Sequence, residues 1–417
     1  MKLRKLLTSF AAMVILAGIA SAQFGGIVTA PPVTFNKQAF DQSMTDALSG
    51  NVMGYQYVLI KKGQVVTEDA DGQAQTAADG NVAMTVNTPS NIGSLAKFLS
   101  GTAMLGLMQK PQYIAQYDNG LSLDQKLERK IWTVMPNAWI NGMQGGTEDI
   151  SFRQMLQHRS GFDTFKVGNR TVLGYMKDNN GFLPGQFNVR QYANINFVLN
   201  GYLIHTYSNS NIKQAFNNAQ NMYGYTDAES DGFYRQAAGT ALHNLMKTRI
   251  WDKMTPKIAP NCDGANALAN VAAYSYNSLS DATTGEITSQ IDKFGHCTGE
   301  GGYFLSARGL ANYLAHFNAT DLIVDQAGRD EMFNETMNPN DRLVWSSAQP
   351  SAYFGQNFDM PNIAWSDGVA GGYRSVIIRL PQDHYLVILT NSPEFSSGGL
   401  RTIGMQAFRD ATEHNFD

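Results

Sequence analysis

The spacing of apolar residues changes twice along the chain, and each change marks a boundary. From Phe35 to Leu48 apolar positions recur at helical intervals, whereas Tyr55 to Ile60 and Gln64 to Glu68 are β-rich and flank Lys61-Lys62-Gly63, a hairpin signal. Past Thr88-Pro89 comes Asn91 to Met108, NIGSLAKFLSGTAMLGLM. There Phe98, Leu99, Met104, Leu105, Leu107 and Met108 are interleaved with the small Gly101, Ala103 and Gly106. A run that is apolar on nearly every side predicts a buried helix, with Ser90 or Asn91 as N-cap.

From about residue 110 the texture turns to short helical pieces and long loops. Ile150 to Gln157 reads as an amphipathic helix stopped by Ser160-Gly161, and Phe197 to Ile204 as an apolar one. Residues 206 to 300 are rich in Asn, Ala, Gly and Tyr without β periodicity. After Gly301-Gly302 a helix capped near Ser306 is expected, then two dense β runs, Tyr373 to Leu380 and Tyr385 to Thr390, joined through Pro381-Gln382-Asp383. Leu400 to Thr412 is amphipathic. These readings predict an α+β fold. Residues 23–109 and 301–417 build one antiparallel sheet domain, and 110–300 form an inserted, mainly helical domain.

Composition adds a compartment. Lys2, Arg4 and Lys5, an apolar core from Leu6 to Ile19 and Ala20-Ser21-Ala22 predict a secretory signal over residues 1–22, and hence a secreted or periplasmic mature chain. With no cysteine after the cleavage site and no later run of about 18 apolar residues, no membrane anchor is expected. Without the leader, 28 Lys and Arg stand against 35 Asp and Glu, which disfavours nucleic acid and anionic membranes as partners. The two cysteines, Cys262 and Cys297, form a disulfide in such a compartment or else stay as buried thiols. His296 is the only extra ligand near them and no HExxH occurs, so neither a metal nor a cofactor is expected.

Candidate chemistry begins at Ser94 and Lys97, three residues apart and therefore on one helical face. A serine hydroxyl becomes a nucleophile when a neighbouring base takes its proton, and an amine serves as that base in its neutral form, which burial and a helix N-terminus favour. A second Ser-x-x-Lys, Ser210 to Lys213, lies in a polar Asn-rich segment and reads as chance. Tyr192, at a loop-to-helix junction, is the candidate to pass a proton to the leaving group; alone it reads equally as a packed aromatic among 18 tyrosines. Asn194 holds a substrate amide or Lys97, or caps the helix behind it. Ser366 to Tyr373 (SDGVAGGY) suits an edge strand whose backbone N–H, with that of Ser94, forms an oxyanion hole, although by itself it is a Gly-rich turn. Among seven histidines, His158 reads as structural, and no GxSxG supports a Ser-His-Asp triad.

Taken in order, Thr88 to Lys97, Leu123-Asp124, Ile150 to Gly161, Tyr192-Ala193-Asn194, Gly301-Gly302 to Arg308 and Gly371 to Ser375 resemble the serine beta-lactamase-related family: class C beta-lactamases, D-alanyl-D-alanine carboxypeptidases, D-aminopeptidases and related esterases. The resemblance implies a beta-lactamase/transpeptidase-like fold. It also implies an acyl-enzyme on Ser94 with Lys97 as base, Tyr192 as proton shuttle, Asn194 as substrate contact, and the N–H groups of Ser94 and Val369 as oxyanion hole.

The chain departs from that pattern at Ser366-Asp367-Gly368, where members usually carry Lys-Thr-Gly or His-x-Gly. Two opposed charges about 4 Å apart are worth roughly 1 to 4 kcal/mol. Losing the cation beside Asp367 therefore predicts an ester, amide, lactam-like or peptide substrate without a free carboxylate. Arg374 is the alternative carboxylate anchor. A non-catalytic relative binding cell-wall or peptide ligands is the competing reading, and 206–300 is the candidate partner-binding elaboration.

Overall fold

The computed structural model describes residues 34–110, 118, 120–164, 172–177, 181–262, 270–280, 285, 298–333, 342–348 and 363–413. The expected leader, His296 and Cys297 lie outside them; Cys262 is disulfide-bonded.

Helix α1 (Lys37–Leu48) starts at Asn36, whose side chain accepts the Ala39 N–H. The hairpin expected at Lys61-Lys62-Gly63 joins β1 (Gly54–Lys61) to β2 (Gln64–Gln75). Lys62 and Gly63 both take positive φ, 48° and 79°, which suits the right-handed twist of the flanking strands. After β3 (Val82–Ala83) and β4 (Ser90–Asn91) comes α2 (Ala96–Gln109), buried at every position but its last. The helical lobe follows as α3 (Leu123–Leu127), α4 (Asn137–Ile140), α5 (Phe152–Leu156), α6 (Val172–Lys177), α7 (Ile195–Ser208), α8 (Ser210–Tyr223) and α9 (Asp227–Arg249). Then β5 (Phe304–Leu305), α10 (Ala307–Ala319) and α11 (Gln326–Met332) lead into β6 (Ser346–Ala348), β7 (Ile363–Ala370), β8 (Tyr373–Leu380), β9 (His384–Thr390) and α12 (Ser397–Glu413).

The larger sheet runs β3-β2-β1-β9-β8-β7-β6 with antiparallel pairs throughout, and the two ends of the chain meet where Val58 pairs with Val387 in β1 and β9. One face is covered by α1 and α12, with Phe40, Met44, Leu400 and Phe408 packed on Tyr57, Ile378 and Leu386. The opposite face continues through α2 and α10 into the core of the helical lobe. Residues 273–276 return to the sheet side: the N–H groups of Ala273, Tyr274 and Tyr276 donate to the carbonyls of Pro89, Ala74 and Asn391.

Two local expectations change. The apolar helix begins at Ala96 rather than at residue 91, because Ser90 and Asn91 spend their backbones pairing with Leu305 and Phe304, and Gly93 at φ 51° turns the chain. Ser94 thus rides on a 3-10 turn, Gly93–Leu95, set against the helix start. The Gly-rich stretch from Ser366 is the second half of a full strand. Strand β6 pairs with β7 only as far as Trp365, so the edge from Ser366 onward faces that turn.

Candidate active site

Strand β7 and the Ser94 turn approach so closely that only glycine fits at two positions. A Cβ on Gly93 would stand 2.7 Å from the Val369 nitrogen, and one on Gly368 would stand 2.1 Å from the Ile92 carbonyl oxygen and 2.8 Å from the Ser94 nitrogen. The Ser375 hydroxyl, on β8, donates to the same Ile92 carbonyl (2.7 Å), while Asn91 Oδ1 accepts the Gly93 N–H (2.9 Å). These contacts bring the backbones of Ser94 and Val369 to one groove.

Into that groove the sequence candidates converge. Lys97 Nζ donates to Ser94 Oγ at 2.9 Å, and Ser94 Oγ lies 2.7 Å from Tyr192 Oη. Lys97 is 5% exposed and Tyr192 46%, so the amine is buried and the phenol opens to solvent. Lys97 Nζ also donates to the Glu300 carbonyl (3.2 Å) and stands 5.0 Å from the Tyr192 ring centre. The Glu300 loop is itself tied to α2, where Ser100 Oγ donates to the Gly299 carbonyl at 2.6 Å.

Tyr192 is held from behind by His158. The two rings stand 4.6 Å apart, the Ala193 N–H donates to His158 Nδ1 (3.2 Å), and the Gln191 N–H to the His158 carbonyl (2.8 Å). Burial, with the positive charges of Lys97 and Arg190, holds the His158 imidazole well below its ordinary pKa. A neutral ring accepting at Nδ1 agrees with that, so His158 supports the tyrosine. Asn194 stands first before α7, yet its side chain makes no capping bond; it is exposed on the cleft.

Two cavities meet at Ser94. The outer cleft, about 350 Å³, is lined by Ser94, Tyr192, Asn194, Glu300, Asp367, Gly368 and Val369. The inner one, about 90 Å³, reaches past Lys97 and Ser366 to Arg190, Arg342 and Trp345. Asp367 borders both. Burial raises its pKa, against the Arg401 charge, a hydrogen bond from Ser397 and the Lys97 charge, so its strongest partners belong to α12. Arg374 turns back on its own hairpin, donating to the carbonyls of Gly371 (2.6 Å) and Tyr373 (2.8 Å), and lines neither cavity. Sequence reasoning missed Arg190 and Arg342. The only signal for the former is its place two residues before Tyr192.

Among the described residues no group of three or more His, Cys, Asp or Glu side chains is placed to hold a metal ion, and no helix is long and apolar enough to cross a membrane.

No curated protein sequence gives a significant match. Solved structures resemble the chain in fold: a class C beta-lactamase from Rhodobacter sphaeroides (13% identity, TM-score 0.59, 91% of this chain and 100% of that one); a beta-lactamase/D-alanine carboxypeptidase from Pseudomonas syringae (15%, 0.60, 91% and 99%); and a D-amino acid amidase from Ochrobactrum anthropi SV3, complexed with L-phenylalanine (16%, 0.59, 91% and 99%). The family model described as Beta-lactamase matches residues 36–404, from α1 through the Ser94 turn and the helical lobe into α12. Sheet, inserted helices and the Ser94 groove all fall inside that one match, and the chain belongs to the beta-lactamase family.

Proposed function

We propose that this chain is an exported serine hydrolase that cleaves an ester or amide through an acyl-enzyme on Ser94. The observation that carries the reading is the pair of hydrogen bonds from Ser94 Oγ to Lys97 (2.9 Å) and Tyr192 (2.7 Å) at the wall of the outer cleft. A cleft of about 350 Å³ suits a small molecule or a short stretch of peptide.

Lys97 takes the Ser94 proton as Oγ attacks the substrate carbonyl. The oxyanion that forms is met by the N–H groups of Ser94 and Val369, each such donor being worth about 2.7–4 kcal/mol. The Tyr192 hydroxyl gives its proton to the departing amine or alkoxide as the carbon–leaving-group bond breaks, and is reprotonated by Lys97, which holds the proton taken from Ser94. Water entering the cleft then attacks the ester carbonyl, passes its proton to the same groups, and frees Ser94 and the acid.

A purely ligand-binding relative would have use for the cleft but none for these hydrogen bonds. The expectation of a carboxylate-free substrate rested on the cation missing at Ser366. Arg190 and Arg342 border the inner cavity beside Ser366.

Labelling the mature chain with a fluorophosphonate, beside turnover of a chromogenic cephalosporin, a nitrophenyl ester and a D-alanine anilide, tests the reading. An adduct and at least one hydrolysis, both lost in Ser94→Ala, are expected. Absence of adduct and of turnover overturns it.

A further inference from the structure

Just past the end of α5, His158 takes a backbone conformation that few side chains adopt, at φ 58°. Such a conformation persists only where its surroundings hold it, and here it brings the imidazole against the loop that carries Tyr192. The residue brackets the tyrosine. Its carbonyl accepts the Gln191 N–H (2.8 Å), its Nδ1 accepts the Ala193 N–H (3.2 Å), and the two rings stand 4.6 Å apart. Asn196, fully buried at the start of α7, brings Nδ2 to 3.3 Å from the same Nδ1.

These contacts decide where the ring carries its proton. A backbone N–H only donates, so Nδ1 is an unprotonated acceptor and the neutral imidazole holds its proton on Nε2. The Asn196 amide gives Nδ1 a second donor, which the opposite tautomer would set against another N–H. Burial and the charges of Lys97 and Arg190 favour the neutral ring. Tyr192 has use for such a support. At 46% exposed it is only partly fixed by packing, yet proton transfer requires its hydroxyl to stay within hydrogen-bond reach of Ser94, where it lies at 2.7 Å. Displacing a reacting group by about 1 Å costs about 10²-fold in rate.

We propose that His158 and Asn196 are positioning residues for Tyr192: the Nε2–H imidazole, its tautomer set by Asn196, holds the backbone on both sides of the phenol and so fixes its reach to Ser94. The proposal rests on the acyl-enzyme reading for the reaction it serves, but its first test does not. Long-range proton–nitrogen NMR of the full mature chain with isotope-labelled histidine, His158 being assigned by its loss in His158→Asn, reports which ring nitrogen is protonated. Nε2–H alone is expected near neutral pH, and a proton on Nδ1 overturns the proposal. Kinetics then separates positioning from general support. His158→Phe keeps a ring beside Tyr192 but removes the acceptor, so kcat on a D-alanine anilide should fall about 10²-fold with KM little changed, and far less on a nitrophenyl ester, whose leaving group needs no proton. His158→Asn, which tolerates positive φ and sets Oδ1 where Nδ1 stood, should recover about tenfold of that loss. Asn196→Leu should give a milder loss, about tenfold, on the anilide alone. In a Tyr192→Phe background His158→Phe should cost less than about twofold more. Equal losses on both substrates, or full additivity with Tyr192→Phe, overturn the proposal; thermal melting of each variant verifies folding. A wild-type chain that shows the Nε2–H tautomer but turns over neither substrate upholds the assignment at His158 and removes the hydrolase reading alone.

Discussion

At the scale of residues, the phenol of Tyr192 touches Ser94 Oγ at 2.7 Å while remaining 46% exposed, so it alone of the three reacting groups faces both nucleophile and solvent. In the proposed acyl-transfer reaction Tyr192 supplies the leaving group's proton, a contribution of about 10²–10⁴ in rate. Tyr192→Phe should therefore lower kcat/KM by about that factor on a D-alanine anilide or alkyl amide. It should lower it by much less on a nitrophenyl ester, whose leaving group departs as an anion. Steady-state kinetics on both substrates checks this, and equal losses would reduce Tyr192 to a packing role. That Ser94, Lys97 and Tyr192 belong together was readable because each sits in a distinctive local context, an apolar helix start or a loop-to-helix junction. The placement of Arg190 and Arg342 was not, since isolated arginines have no period and only the fold brings them to one cavity beside Ser94. Arg374 shows the converse: adjacency in sequence made it an anchor candidate, and its guanidinium satisfies two carbonyls of its own turn instead.

Between elements, the decisive contact is β7 against the Ser94 turn. Gly368→Ala would drive a Cβ to 2.1 Å from the Ile92 carbonyl, so the strand must withdraw and carry the Val369 N–H away from the proposed oxyanion site. The acylation rate constant, followed by stopped-flow with a nitrophenyl ester, should fall about 10²–10³-fold, the loss expected for one oxyanion donor. Gly232→Ala is the control: on α9 nothing lies within 4 Å of its would-be Cβ, so the rate should hold while chemical denaturation shows a gain of about 0.8–1 kcal/mol from helix propensity. The first hairpin, the closing β runs and the terminal helices were legible because their apolar periods are clean. The full extent of β7 was not, because Ser366, Asp367 and two glycines interrupt its alternation, and the two-residue strands β4 and β5 are too short to have a period. Helix α8 was hidden by a polar, Asn-rich composition, and α9 by a narrow buried stripe, Tyr234, Ala238, Leu242 and Met246, in an otherwise polar sequence.

For the whole molecule, the arrangement places the first and last helices of the described residues on the same sheet face, and His384 stands where they meet. Its ring lies 5.4 Å from Phe35, just before α1, and 5.0 Å from Phe408 on α12, and Nδ1 donates to the Pro381 carbonyl at 2.7 Å. Burial lowers its pKa to about 4, with the Lys61 charge adding to the effect and the Pro381 bond opposing it. The unfolded chain binds this proton near pH 6.5 and the folded chain only near 4, so stability is complete above about 6.5 and declines as pH falls through that window. The gap corresponds to roughly 3 kcal/mol by pH 4. In His384→Gln this term is absent. Urea unfolding of both proteins from pH 7 to pH 4 should show the wild-type advantage narrowing by about 3 kcal/mol toward the acid end, on top of any constant cost of the substitution. Two parallel profiles would mean that His384 takes up its proton in the folded state as readily as in the unfolded one, and that acid loosens the molecule elsewhere than at the junction of its two ends.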